Sequence, residues 1–255
     1  MTQSEDTAPL KVLVLGGTGD ARALAARLVT DTRFSASVSL AGAVERPDAY
    51  PLPVRSGGFG GVEGLSGWIR DNAVGALVDA THPFATGISR NAAEAARATA
   101  TPLVRLERPA WRAGPADRWQ EVDDLDEAVA ALPPGARPFL AIGRKEIARF
   151  ASRSDLDCLM RMIDPPGEEE RLPRGRLVLA RPVRDADAEV ALLSEHGATH
   201  VVAKNSGGPW GEAKLIAARR LGLPVILLRR PPALEVHSVP DVDGVLDWLE
   251  SLSAR

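Results

Sequence analysis

The sequence has a single cysteine, Cys158, so no disulfide can form within the chain. That fits a reducing compartment, and we expect a cytoplasmic protein in which Cys158 is a small buried apolar residue. No apolar stretch approaches the ~20 residues that cross a bilayer. The acidic start, residues 1–9, lacks the basic and apolar regions of a signal peptide and reads as a disordered tail. No membrane partner is expected. Net charge is −3, without the basic excess that neutralises phosphates, so no nucleic-acid partner is expected either. Lysine is scarce: four lysines stand against 27 arginines, which singles out Lys11, Lys145, Lys204 and Lys214. The one tyrosine, Tyr50, has Val54 four residues on, so the Tyr-x-x-x-Lys pair of short-chain dehydrogenases is absent. There is no Gly-x-Ser-x-Gly elbow for nucleophilic catalysis. His82, His196, His200 and His237 have no metal-ligand spacing, and no metal is expected.

What is present is ordinary globular composition, with 255 residues, 45% apolar and 25% charged. That length suits one large domain or two small ones. Residues 11–15 (KVLVL) are an apolar run ending at Gly16-Gly17-Thr18-Gly19, and helical periodicity follows over residues 20–29. Strand-like runs recur at 35–40, 74–80 and 103–107, with helical stretches at 62–71 and 88–99. Proline and glycine thicken from residue 109 to 135 around a short helix at 125–132. The alternation then restarts, with strands at 139–142, 156–163, 177–180, 200–203 and 225–229. Helices are expected after Lys145 and at 185–196, 212–221 and 242–252. Alternating strands and helices mark parallel α/β sheets. We expect a first, nucleotide-binding domain over residues 10–112 and a second, substrate-binding α/β domain over 113–255.

The opening strand, glycine turn and helix form a dinucleotide signature. Glycine lets the backbone approach a pyrophosphate, and a helix N-terminus offers unpaired N–H groups and partial positive charge. The fingerprint is incomplete, since Arg22 stands where the third glycine belongs; a turn without a ligand is the competing reading. NAD enzymes usually place an acid after the second strand. Here that region reads Ser39-Leu40-Ala41-Gly42 and then Arg46, which suits a 2′-phosphate and favours NADP. Glu45 beside it counts against this; Arg55 or Ser56 would serve instead, and Arg46 as a solvated loop charge is the alternative. Residues 55–61 (RSGGFGG) are too glycine-rich for a strand or helix and suit a mobile loop over a cofactor, or else a flexible surface loop.

Thr81-His82-Pro83-Phe84 follows a strand end, where ligands bind in open α/β sheets. His82 there would orient a nicotinamide, pair with a carboxylate, donate a proton, or simply hold the turn. Gly143-Arg144-Lys145 and Lys204-Asn205-Ser206-Gly207-Gly208 follow strands of the second half and suit a carboxylate receptor; two polar turns are the plain alternative.

The segments GGTGDARALA, DATHPFATGISRNAAEAAR, LVRLERPAW, GRKEIARF and VVAKNSGGPWGEAKLIAARRLGLPVILLRRP together resemble the precorrin-6A/cobalt-precorrin-6A reductase family of vitamin B12 biosynthesis, over residues 11–232. The resemblance implies two Rossmann-like parallel-sheet domains with the active site in the cleft between them. It implies NADPH-dependent reduction of one carbon–carbon double bond of precorrin-6A to give precorrin-6B. The tetrapyrrole is then the partner, with neighbouring pathway enzymes as a further class. The family's motif carries over onto Gly16 to Gly19, Thr81 to Phe84, Arg144-Lys145 and Lys204 to Gly208. We therefore expect NADPH at Gly16, Gly17, Thr18, Gly19, Asp20, Arg46, Arg55, Ser56, Gly57, Gly58, Thr81, His82 and Pro83. The substrate is expected at Phe84, Arg144, Lys145, Lys204, Asn205, Ser206, Gly207 and Gly208, with His82 and Lys204 as catalytic candidates. The alternatives are a nucleotide-sensing regulator without turnover, a cobalt-precorrin-6A reductase using NADH, and an atypical nucleotide-sugar reductase.

Overall fold

The computed structural model of the chain describes residues 8–41 and 49–253; the expected tail falls outside these except for Ala8 and Pro9. The opening apolar run forms β1 (Leu10–Leu15), whose last four residues are buried. Thr18 caps α1 (Gly19–Leu28), accepting a hydrogen bond from Ala21 N through its hydroxyl. Then come β2 (Phe34–Leu40), β3 (Val54–Ser56), α2 (Gly61–Asp71), β4 (Ala76–Asp79), α3 (Thr86–Thr99) and β5 (Leu103–Leu106). The second half runs β6 (Trp119–Val122), α4 (Leu125–Ala130), β7 (Pro138–Ala141), α5 (Arg144–Ile147), β8 (Cys158–Met162) and β9 (Gly175–Leu179). It continues with α6 (Ala186–His196), β10 (His200–Lys204), α7 (Ala213–Leu221) and β11 (Val225–Leu228), and the chain ends in β12 (Ser238–Val239) and α8 (Val242–Ser253).

These strands make two six-stranded sheets, ordered β12-β5-β4-β1-β2-β3 and β6-β11-β10-β7-β8-β9. Every pairing is parallel. The fold class is thus two parallel-sheet α/β domains. β4 and β11 are buried throughout, as strands covered on both faces require, while β3 is a three-residue edge with Val54 and Ser56 exposed.

Three strands were not foreseen. β3 uses Val54, Arg55 and Ser56 before the glycines begin, so part of the expected glycine loop is strand. β6 has polar residues at Gln120 and Glu121, as an edge strand tolerates. β12 is two residues long, paired through Ser238 with Arg105 and Val239 with Leu106.

The expected second domain of residues 113–255 needs correction. One compact unit is Pro109–Pro231; the other comprises the described residues up to Arg108 and those from Pro232 on. β12 adds to the first sheet, and Val245 and Leu249 of α8 are buried in the core that holds Val12, Val14, Leu24 and Leu28. Exposed ion pairs bind the same helix to the first unit: Arg27 to Asp243 at 3.0 Å and Arg33 to Glu250 at 2.8 Å. The apolar face of α8 completes the first core rather than closing the second.

Cys158 begins β8 with no exposed surface, and burial pushes its thiol up to about 12. The native protein is expected to stay unlabelled by an aromatic disulfide reagent at pH 8, while the denatured chain takes up one equivalent. Prompt native labelling would show that β8 is not packed in this way.

Candidate functional site

In a doubly wound sheet, ligands bind beyond the carboxyl ends of the two central strands where the winding reverses. In the first sheet those strands are β1 and β4, paired from Val12 with Ala76 to Leu15 with Asp79. The two turns singled out in the sequence follow these strands. Thr18 joins them: its hydroxyl donates to Ala80 O at 2.8 Å while capping α1.

Within the first turn the glycines differ in role. A Cβ on Gly16 would lie 2.9 Å from Val38 Cγ1, so this glycine is required by packing against β2. Gly17 has φ +108°, and a Cβ there would meet nothing within 4 Å. Its N–H donates to the Tyr50 hydroxyl at 3.1 Å. Gly19 is the first residue of α1. Asp20 accepts from Arg108 Nη1 at 2.5 Å, with both side chains largely buried, so an acid in the first helical turn carries its own counter-ion. Gly17, with room on its Cβ side, immediately precedes the cap of a helix of 10 residues.

Arg46 lies outside the described residues. Arg55 lies on β3 beside the end of β2; its Nη1 donates to Ser39 Oγ at 3.0 Å and Gly57 O at 2.8 Å, and its Nη2 to Gly58 O at 3.1 Å. The guanidinium also sits 3.9 Å from the Phe59 ring centroid, and Phe59 packs edge-on to Trp68. The glycine segment is therefore held from both sides, with Phe59 as its anchor. Ser56 is exposed at the strand end.

Thr81 N and Oγ1 both donate to Asp79 Oδ1, at 3.1 and 2.6 Å. The other carboxylate oxygen accepts from Arg105 Nη1 at 2.5 Å, and Arg105 also donates to Ser89 Oγ and, at 3.0 Å, to Glu107. Asp79 and Arg105 are almost wholly buried. This network holds the second turn in place. His82 Nδ1 accepts from Phe84 N at 3.3 Å, and its carbonyl accepts from Ala85 N at 2.7 Å. An accepting Nδ1 makes the neutral ring the Nε2–H tautomer. Pro83 is buried; His82 and Phe84 are half-buried, with ring centroids 5.7 Å apart.

In the second sheet the winding reverses between β7 and β10, so the turns after them meet. Lys204 donates from Nζ to Glu146, which sits over Gly143. Arg144 Nε donates to both oxygens of Glu170, at 2.7 and 2.9 Å, and Nη1 to Pro165 O at 3.1 Å. Lys145 is exposed. Asn205 is buried and clamps the Trp111 backbone, accepting from its N at 2.9 Å and donating to its O at 3.0 Å. Arg230 donates to the carbonyls of Asn205 and Ser206 at 2.9 and 3.0 Å. Gly207, at φ +67°, leaves no room for a Cβ, which would fall 2.2 Å from Pro109 O; Gly208 O accepts from Trp111 Nε1 at 2.9 Å. Asn205 to Gly208 thus form a turn built around Trp111, with Lys204 at its head.

Sequence reading missed Asp79, Arg105, Tyr50, Glu146 and Glu170. Two of them carried a signal: an acid and an arginine interrupt the apolar runs of β4 and β5, which buried parallel strands seldom allow without a partner. Burial, and then Arg118, holds the His200 imidazole below its usual range. Among the described residues no cluster of His, Cys, Asp and Glu could hold a metal ion.

Comparison with known proteins agrees with this architecture. Residues 11–250 match the family described as Precorrin-6x reductase CbiJ/CobK. The chain is 47% identical over 248 residues to a precorrin-6A reductase of Rhodococcus erythropolis, covering 96% of this chain and 99% of the relative. It is 47% identical over 242 residues to that of Rhodobacter capsulatus, covering 94% and 95%. A solved structure, CobK precorrin-6A reductase, superposes with a TM-score of 0.91 at 46% identity, covering 95% of this chain and 96% of the other. A match across nearly the whole length, in sequence and in fold, places the chain in the precorrin-6x reductase family.

Proposed function

We propose that the protein reduces one carbon–carbon double bond of precorrin-6A to give precorrin-6B, with NADPH as the reductant. The observation that carries this reading is the paired turns at β1 and β4, with the open face of Gly17 before α1, in a chain of this family. The residues fit a dinucleotide: Gly17 ahead of α1 leaves room on its Cβ side, and Arg55 is held beside the end of β2, where a 2′-phosphate would be read. NADPH, when bound, supplies the hydride. The chain's own residues bind, orient and manage charge. The Asp79–Arg105 network keeps the Thr81 turn rigid, and His82 stands in that turn beside Phe84. Lys204, paired with Glu146 at the head of the turn after β10, would be the cation that a substrate carboxylate meets in this unit.

The deciding assay follows NADPH absorbance with precorrin-6A as acceptor, against NADH and cobalt-precorrin-6A as controls. A nucleotide-sensing regulator would bind NADPH and leave it unconsumed. Faster turnover of NADH with cobalt-precorrin-6A would move the protein to the other branch of the family.

A further result is expected from the second unit. Lys204→Ala and Arg144→Ala should raise the KM for the tetrapyrrole roughly 10–150-fold, the loss of one charge-assisted hydrogen bond. The KM for NADPH should hardly change. Loss of NADPH with retention of the tetrapyrrole in both variants would mean that the two units have exchanged roles.

A further inference from the structure

Six large apolar residues are exposed among the described residues, and four of them lie at or after strand ends of the second sheet. Ile163 follows β8, Leu179 ends β9, Val183 lies in the loop after β9, and Trp210 lies in the turn after β10. The strands of this sheet are parallel, so all four belong to its carboxyl edge, which also carries Lys204. Exposed apolar residues scattered singly need no explanation; gathered beside charged groups at a ligand edge, they mark a binding surface.

Two of these loops touch. The Arg184 guanidinium lies 4.6 Å from the centroid of the Trp210 indole, so the segment after β9 reaches the turn after β10. The neighbouring acid, Asp185, caps α6, accepting from Asp187 N at 2.8 Å and Ala188 N at 3.4 Å. Trp210 remains 37% exposed, whereas Trp111 is 9% exposed.

From this we infer that Trp210 and Arg184 form a stacking platform for the flat face of a carboxylated tetrapyrrole, a placement that rests on the substrate class proposed above. An indole offers the largest π surface of any side chain, and it suits a broad conjugated ring. A guanidinium stacked on an indole keeps its N–H edges directed outward, where they meet carboxylates at the rim of the macrocycle. Val183, 40% exposed beside Arg184, extends the apolar surface.

The experiment is equilibrium binding of precorrin-6A, read by its absorbance change without NADPH, to the wild-type chain and to Trp210→Ala, Trp210→Leu, Trp210→Phe and Arg184→Ala. Stacking on an aromatic side chain predicts that Trp210→Ala and Trp210→Leu weaken binding on the order of tenfold. Trp210→Phe, which keeps a flat ring, should stay within about threefold. Arg184→Ala should weaken binding by several-fold. The KM for NADPH should be the same in all four. Trp210→Leu keeps apolar area without a π face, so wild-type affinity in that variant overturns the platform. It does so even if the variant changes elution volume, which would make the edge a self-association surface instead. These outcomes are separable from failure of the functional reading: if the wild-type chain neither binds nor reduces precorrin-6A, that reading fails and takes the platform with it.

Discussion

Arg161→Met is expected to destabilise the second unit by roughly 3–5 kcal/mol, the usual result of stripping one partner from a buried ion pair. Arg161 on β8 and Glu189 on α6 meet at 2.5 Å, with side-chain exposures of 7% and 1%. The guanidinium also lies 4.8 Å from the Phe139 ring centroid. Glu189 Oε2 is buried without a hydrogen-bond partner, so the carboxylate depends heavily on Arg161. Methionine fills similar volume and leaves the negative charge stranded. Arg161→Met with Glu189→Leu should restore most of the loss, because the cost lies in the uncompensated charge and not in the missing attraction. An exposed pair provides the contrast. Arg220 and Asp187 also meet at 2.5 Å, but with 52% and 86% exposure, and Arg220→Ala should cost less than about 1 kcal/mol. Urea denaturation of the four proteins checks this; a single Arg161→Met variant as stable as wild type would refute the buried pair.

Gly17→Val is expected to lower NADPH affinity about a hundredfold or more, near 2.7 kcal/mol, while leaving the fold intact. At φ +108° a branched side chain is strained, at a cost of about 1–3 kcal/mol. The new methyl groups would stand in the room beside Gly17 before α1, where we propose that the phosphate binds. Relaxing the backbone would disturb the Gly17 N–H bond to Tyr50. Gly16→Val separates packing from binding: its Cβ would press on Val38 Cγ1 at 2.9 Å, so stability should fall first. Circular dichroism and NADPH titration together read both effects. A folded Gly17→Val variant with normal affinity would remove this turn from the cofactor site.

The candidate site was legible in outline and not in its wiring. Gly17, Thr18 and His82 stand out because they follow strand ends, where ligands bind in α/β sheets, although a bare turn reads the same way in the sequence. Asp79 and Arg105 stand 26 positions apart, and nothing local says that β4 and β5 lie side by side. Arg144 and Asn205 read equally well as ligand groups from sequence. Only the structure shows Glu170 against the first and the Trp111 backbone against the second. The glycine run at 57–61 read as mobile, because the Arg55 bonds that hold it depend on β3 pairing with β2.

The sequence by itself determined that this chain alternates strands and helices in parallel sheets, where its two central glycine and polar turns fall, and which family it resembles. Those properties are local: apolar periodicity, the conformational demands of glycine, and a helix cap such as Thr18 are written in neighbouring residues. Only the tertiary structure decided that α8 belongs to the first unit. An amphipathic helix states that Val245 and Leu249 need burial, not which sheet will bury them. That choice was made by β12, two residues long, finding its hydrogen bonds on β5, more than 130 positions back along the chain.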